Sequence, residues 1–166
     1  MLGDKILAAL NTSEEKLVSL LDADVREIFG TMVGVEVTMI EEADTLTHFV
    51  DSVSAMVGFA GGYNGLISVN TPKYLALRFS GLMLGMEPDE CEEDMADSLG
   101  EIANMIGGSF KHHFVKDGHE VRLSTPSVIT GNDYQVSVGT MPDSLTLKFG
   151  SDGDVFTVSL YLELGD

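Results

Sequence analysis

The residues best suited to chemistry lie on one face of a helix that the sequence predicts at about residues 89–115. Asp97, Glu101 and Asn104 follow one another at helical spacing, so their side chains project to the same side. A carboxylate and a neutral amide on one exposed face can bind a polar partner. A simpler interpretation stays open, because a polar face opposite an apolar one is ordinarily just solvated surface.

Two adjacent glycines follow this polar face. Gly107 and Gly108 each cost a helix about 0.8–1 kcal/mol relative to alanine, which indicates a role for them. Beside Glu101 and Asn104 they leave backbone bare, where a second surface can approach closely. The alternative is that the glycines serve helix–helix packing inside the protein.

Other predicted helices have to position this face. The opposite side of the 89–115 helix is an apolar stripe, formed by Met95, Leu99, Ile102, Ile106 and Phe110. Such a stripe has to pack on a core. An earlier amphipathic helix begins near Ser13 and ends at Gly34, since a glycine adopts the left-handed terminal conformation at no steric cost. A further helix begins at Thr71-Pro72, with threonine as its N-cap, and ends at Gly85.

The strands are short and separated by turn residues. They are predicted at residues 35–39, 52–57, 66–70, 121–123, 127–130, 134–139, 145–149 and 155–164. Asn64-Gly65 is a favoured turn dipeptide, and the polar residues 131–133 separate two later strands. The predicted fold class is α+β, an antiparallel sheet with long helices packed on one face.

Two segments of the chain resemble each other. Residues 27–34 align with residues 101–108, with a shared glutamate, isoleucine and final glycine. The chain is therefore interpreted as one domain, 1–166, built of two related halves at about 14–88 and 89–166. Gly30 occupies the place of Asn104, so the first copy lacks the amide. The alternative is that any two amphipathic helices ending in glycine look somewhat alike.

Composition excludes several classes of protein. The 166 residues carry 9 Lys+Arg against 27 Asp+Glu, a net charge of −18, and are 44% hydrophobic. Such a chain can build a core, which excludes intrinsic disorder, and its acidity excludes nucleic acid or an anionic membrane surface as a partner. It has no apolar run of about 18 residues and no signal-like opening, so a soluble cytoplasmic protein is expected.

Metal and thiol chemistry are poorly supported. His112, His113 and His119 lie close in sequence, but the first two point apart on a helix and no second cluster completes a ligand set. The single cysteine, Cys91, has no histidine nearby and sits among acids that disfavour a thiolate. We therefore expect this chain to bind no metal or other cofactor itself.

The polar face carries a family resemblance. Asp97-x-x-x-Glu101-x-x-Asn104, followed by Pro126 at the start of a strand, resembles the signature of the CheC/CheX/FliY phosphatases of bacterial chemotaxis. The CheX branch is most similar, because its first helix ends in a Phe-x-x-Met-x-Gly pattern, as residues 29–34 do, and it keeps one active helix. The likeness spans about residues 14–164. The interval from Asn104 to Pro126 is one residue shorter than usual.

The resemblance implies a function and a partner. The substrate would be the aspartyl phosphate of a CheY-like response regulator, with Mg²⁺ held by that regulator. Asn104 would position the attacking water, and Glu101 would pair with a lysine of the receiver. Asp97, Gly107 and Gly108 would have supporting roles on the same face. A rival interpretation is a non-catalytic adaptor, or flagellar-switch-like module, that binds a receiver with the same face.

The resemblance also implies a homodimer, because members of the CheX branch pair through their sheets. The run at residues 155–164 alternates, lacks proline and has one apolar face. At a sheet edge such a strand invites pairing with another chain. We therefore expect this strand to form a two-fold interface.

Overall fold

A computed structural model describes residues 2–115, 120–138 and 143–165 of the chain. In chain order the elements are α1 Asp4–Ala9, α2 Glu14–Ile28, a π-helical turn Phe29–Val33, β1 Thr38–Ala43, β2 His48–Gly61, β3 Tyr63–Pro72, α3 Lys73–Leu84, a 3₁₀ turn Pro88–Glu90, α4 Met95–Val115, β4 Val121–Leu123, β5 Ser127–Gln135, β6 Asp143–Ser151 and β7 Asp154–Leu164. Within these ranges, no helix has the length and apolar character needed to cross a membrane.

The seven strands of the described residues join one antiparallel sheet. Its order is β1-β6-β7-β3-β2-β4, and β5 pairs with β2 beside β4. The edges are therefore β1 on one side and the β4 and β5 strands on the other. The predicted α+β class with an antiparallel sheet is confirmed.

The core lies between one face of the sheet and the helices α2, α3 and α4. The inward side chains of the central strands are fully buried and belong to one hydrophobic cluster with the apolar stripes of the helices. Its largest members are aromatic, with Phe29 of the π-helical turn packed on Phe79 and Phe156 at ring distances of 5.0 and 4.8 Å. The helices are thus fixed to the sheet by burial of apolar area.

The other face of the sheet is lined with small polar residues and is also covered. We call its cover the arm, residues 43–49. Thr45 Oγ1 of the arm lies 3.0 Å from Ser144 Oγ and 2.7 Å from Thr146 Oγ1 of β6. Phe49 packs on Tyr134 near the end of β5, with ring centroids 5.5 Å apart. The hydroxyl groups of Thr45, Ser144 and Thr146 therefore form hydrogen bonds within the protein.

Some of the predicted helix ends are confirmed and others are wrong. The Ser13 side chain accepts from the Lys16 backbone N–H at the start of α2, and Gly34 and Gly85 adopt left-handed conformations with φ of 80° and 68°. Thr71 does not cap α3, because its side chain is buried in β3 and its hydroxyl donates to the Pro72 carbonyl. The α4 helix starts at Met95 rather than near residue 89, after the 3₁₀ turn.

Strand limits were predicted less well. Val35 and Val37 alternate as in a strand, but β1 starts only at Thr38, which pairs with Gly150. β6 ends at Ser151, one residue beyond Gly150, so residues 35 and 36 have no strand opposite them. Residues 131–133 lie within β5 rather than in a turn, because β2 supplies partners on both sides of them.

The predicted turn at Asn64-Gly65 was wrong as well. Both residues lie in β3, and the β2–β3 turn is at Gly61-Gly62, with Gly61 at φ 147°. A Cβ on Gly65 would lie 2.1 Å from the Tyr161 carbonyl oxygen of β7. Gly65 is therefore needed for the close approach of two strands, and not for a bend.

The edge position expected for residues 155–164 was wrong. β7 pairs with β3 on one side and with β6 on the other, so its backbone groups are already satisfied. Its alternating pattern reflects one face on the helical core and one on the covered second face. An alternating strand shows which residues share a face, but not whether the strand has one neighbour or two.

Candidate functional site

The outward face of α4 carries the predicted site residues. The five residues of its apolar stripe are at most 3% exposed, which turns the opposite face to solvent. Asp97 and Glu101 are exposed, and Asn104 is half-buried. The structure thus brings the predicted carboxylates and the amide together on one accessible surface.

The side chains of Glu101 and Asn104 are available for contact with another molecule. In the described ranges, neither side chain makes a hydrogen bond or an ion pair. A polar group held on a rigid helix and left unpaired at its tip is available to a second molecule. The geometry therefore suits contact with a partner surface.

The two glycines of α4 face different surroundings. Gly107 is buried, and a Cβ there would lie 2.6 Å from Val57 Cγ1 of β2. Gly108 is half-buried, and its Cβ would meet only Leu123 Cδ1, at 4.0 Å. Gly107 therefore serves internal packing, against a strand rather than a helix, and does not offer its backbone to a partner. Gly108 remains on the polar face.

We expect Gly107→Ala to destabilise the protein and Gly108→Ala to stabilise it slightly. Overpacking against a stiff valine costs about 1–3 kcal/mol, which outweighs the gain in helix propensity of about 1 kcal/mol. Gly108→Ala keeps that gain without a collision. Thermal melts should separate the two variants by several degrees, and equal melting temperatures would contradict the close packing of α4 on β2.

Pro126 lies beside the turn of α4 that precedes Glu101. It comes directly before β5, and its Cβ is 3.5 Å from the position of a Cβ on Gly100. Val128 of β5 lies at the same distance from that position. The start of β5 thus rests on the helix next to the polar face, even though the interval from Asn104 is one residue shorter than the family pattern.

A hydrogen-bonded aspartate–histidine pair connects α2 to α4. Asp24 is 5% exposed, and its carboxylate oxygens lie 3.0 and 3.2 Å from His113 Nε2. Burial raises the pKa of Asp24, the charge and hydrogen bond of His113 oppose this, and Glu27 adds to it. This pair was not predicted from the sequence, although an aspartate among Leu21, Val25 and Ile28 on an apolar helix face indicates a buried carboxylate.

The pair predicts a pH-dependent stability difference between wild type and Asp24→Asn. The pKa of Asp24 is higher in the folded chain than in the unfolded one. Its contribution to the stability of the fold is therefore fully present below the unfolded pKa and is lost as the pH rises through the folded pKa. The melting temperature of wild type minus that of Asp24→Asn should therefore fall from about pH 4 to neutral pH.

His113→Gln removes the group that lowers this pKa, so the same difference, measured in that background, should fall over a higher pH range. A difference that rises with pH would show that the carboxylate, not the acid, is the form the fold favours.

The described histidines and the cysteine are not gathered into a metal site. In the described residues there is no group of three or more His, Cys, Asp or Glu able to hold a metal ion. His119 lies outside the described residues. Cys91 is fully buried, and its thiol donates to the Glu87 carbonyl at 3.3 Å.

The first-half counterpart of the site is incomplete. Glu27 is exposed on α2, as Glu101 is on α4. Gly30, in the place of Asn104, belongs to the π-helical turn and has open space where a side chain would be. This segment therefore offers a carboxylate but no amide at the position that corresponds to Asn104.

The chain is similar in sequence and in fold to chemotaxis proteins. The family model described as chemotaxis phosphatase CheX matches residues 53–150. The CheY-P phosphatase CheX of Thermotoga maritima is 25% identical over 126 residues, which cover 74% of this chain and 81% of that protein. The crystal structure of a chemotaxis protein CheX from Desulfovibrio desulfuricans superposes with a TM-score of 0.77 at 28% identity, covering 89% of this chain and 99% of that one.

A complex from a third organism shares the fold. The CheX–CheY–BeF₃–Mg²⁺ structure from Borrelia burgdorferi matches with a TM-score of 0.72 at 20% identity, covering 89% of this chain and 97% of that one. The family match extends over more than half of the sequence and includes Glu101, Asn104 and Pro126. The chain belongs to the CheX family of chemotaxis phosphatases.

Proposed function

We propose that this chain hydrolyses the aspartyl phosphate of a CheY-like response regulator in the cytoplasm. Glu101 and Asn104 support this activity. Both side chains lie on the exposed face of α4 without a partner in the described residues, in a member of this family. The Thermotoga relative is a CheY-P phosphatase, and the Borrelia relative forms a complex with CheY.

Asn104 is assigned to the attacking water. Phosphoryl transfer depends on positioning and on electrostatic stabilisation, rather than on new covalent chemistry in the protein. The amide oxygen can accept a hydrogen bond from water, and the amide carries no charge to repel the phosphoryl group. Its half-buried position on a helix packed against the sheet restricts its motion, which favours one orientation for the water.

Glu101 is assigned to docking. It lies one helical turn before Asn104 and is exposed, so it can reach a partner without disturbing the core. A carboxylate would repel a phosphoryl group, and we therefore pair it with the lysine that borders a receiver's phosphorylation site. Asp97, one turn earlier on the same face, supports the orientation of the partner through its charge.

Mg²⁺ belongs, in this proposal, to the response regulator. The Borrelia complex contains Mg²⁺ together with CheY and BeF₃. The described part of the present chain has no acidic cluster with the spacing of a metal site. The ion would neutralise the charge of the phosphoryl oxygens from the partner's side, while Asn104 of α4 positions the water.

The decisive experiment follows phosphate release from a receiver domain phosphorylated on aspartate, with and without this chain. The proposal expects faster release that saturates with receiver concentration. The adaptor alternative expects complex formation with an unchanged rate of release. Unchanged release in a mixture where the complex is shown to form would therefore replace the phosphatase by the adaptor.

We further propose that the chain forms a homodimer. Since β7 is internal, an edge-to-edge pairing would have to use β1 or the β4 and β5 edge. Ile40 on β1 is 52% exposed, which is consistent with a further contact there. Light scattering at micromolar concentration and about 0.15 M salt, where the Debye length is about 8 Å, should give twice the mass of one chain. A monomer mass would contradict this.

A further inference from the structure

A cavity of about 410 Å³ lies between the arm and the second face of the sheet, away from α4. Its floor is formed by β2, β3, β6 and β7. Leu46 of the arm and Phe49, where the arm joins β2, also line it. Its volume is within the range of about 300–1,000 Å³ found for small-molecule sites.

The floor carries a row of hydrogen-bond donors. Lys148 of β6 pairs in register with Thr157 of β7, and Thr157 pairs with Asn70 of β3. Residues directly opposite one another in a sheet share a face, so these three side chains lie side by side across three strands. An ammonium group, a hydroxyl and an amide thus line the same cavity.

The orientation of the Asn70 amide is set by its neighbours. Asn70 is 6% exposed, and its Oδ1 accepts from Ser54 Oγ at 2.7 Å and from Ser68 Oγ at 2.9 Å. Because both serine hydroxyls bind Oδ1, the amide nitrogen points away from Ser54 and Ser68. Its Nδ2 reaches Thr157 Oγ1 only at 3.5 Å, the outer limit of a hydrogen bond. A buried donor is therefore left poorly satisfied on the cavity floor.

The other residues that line the cavity limit which ligands can bind to these donors. Leu46, Phe49, Pro72 and Val155 supply apolar contact. The acids Glu41 and Asp44 also line the cavity, and Glu41 Oε1 lies 3.9 Å from Lys148 Nζ, a distant ion pair. Two nearby carboxylates disfavour a ligand with two or more negative charges.

We propose that this cavity binds a small monocarboxylate with an apolar tail. The carboxylate would accept from Lys148 Nζ and Asn70 Nδ2, displacing the weak contact with Glu41. The tail would pack on Phe49 and Leu46 beneath the arm. This site uses no residue of the α4 face, so it is independent of the proposed phosphatase function.

The test is a binding titration of the full chain with phenylacetate, followed by NMR or calorimetry. Phenylacetamide is the matched ligand, with the same shape and no charge, and should bind at least about tenfold more weakly. Lys148→Met should weaken phenylacetate binding by a similar factor, whereas Lys16→Met, which removes an exposed lysine of α2, should not change it. Glu41→Gln should tighten binding, because it removes the competitor for Lys148.

Several results would overturn the proposal. One is no saturable binding of phenylacetate to the folded chain at millimolar concentration. Equal affinity for phenylacetamide, or an affinity unaffected by Lys148→Met, would show an apolar cavity without carboxylate recognition. Should Lys148→Met fail to fold, Lys148→Gln, which keeps a long polar side chain without the charge, tests the same group and should also weaken binding.

Discussion

Asn104→Ala is expected to reduce catalysed dephosphorylation of the response regulator by two or more orders of magnitude. Loss of one well-placed polar group at a reacting centre has an effect of about 10²–10³ in rate. Alanine suits a helix and leaves the apolar stripe of α4 untouched, so the fold should be retained. The measurement is phosphate release from the phosphorylated receiver at saturating concentration of this chain.

An isosteric variant tests the reason for that loss. Asn104→Asp keeps the shape and an acceptor oxygen, but its charge would repel the phosphoryl group, so its rate should fall as well. Both variants should still bind a receiver activated with BeF₃ and Mg²⁺. Near-normal turnover in Asn104→Ala would remove Asn104 from the mechanism, and loss of binding in both variants would assign it to docking instead.

Glu101→Lys is expected to abolish productive docking, with Glu101→Ala showing a weaker defect of the same kind. Lysine at this position would face the receiver's lysine, and like charges placed together at an interface cost several kcal/mol. Glu101 is exposed and has no partner in the described ranges, so the melting temperature should barely change. Binding to the activated receiver, measured by calorimetry or anisotropy, reports the loss directly.

The chain offers its own control for this charge reversal. Glu27 is the exposed counterpart of Glu101 on α2, where no amide follows. Glu27→Lys makes the same change of net charge and should leave docking intact. Equal loss of binding in both variants would indicate that overall charge, and not the α4 face, governs association. A melting temperature lowered by many degrees in Glu101→Ala would contradict the surface position.

The accessible face of α4 could be predicted because it depends on local periodicity. Leu99 and Ile106 had to be buried together, so Glu101 and Asn104 had to point outward. The role of Gly107 could not be chosen from sequence, since a cost in helix propensity shows that a glycine is needed but not which surface approaches it. Only the packing on Val57 decides this.

Contacts between segments that are distant in the sequence could not be predicted from it. The Asp24–His113 pair joins residues 89 positions apart, and neither residue alone indicates its partner. The neighbours of β7 were likewise unpredictable, since alternation in one strand says nothing about the order of the others. At Asn64-Gly65 the local sequence predicted a turn, but the tertiary structure places both residues in a strand. Gly65 is needed there because β7 passes close to it.

The central place of β7 also determines when the sheet can be completed. In the described chain, β1 and β6 are hydrogen-bonded to the β2–β5 strands only through β7, the seventh strand in the sequence. Tyr63 must find Leu164 about a hundred residues later, and closing so long a loop is entropically costly and slow. On the ribosome, the β2–β3 hairpin and α4 emerge long before this partner does. A nascent chain therefore carries an unpaired β3 edge, which is a target for chaperones or for aggregation, until β7 arrives to occupy it.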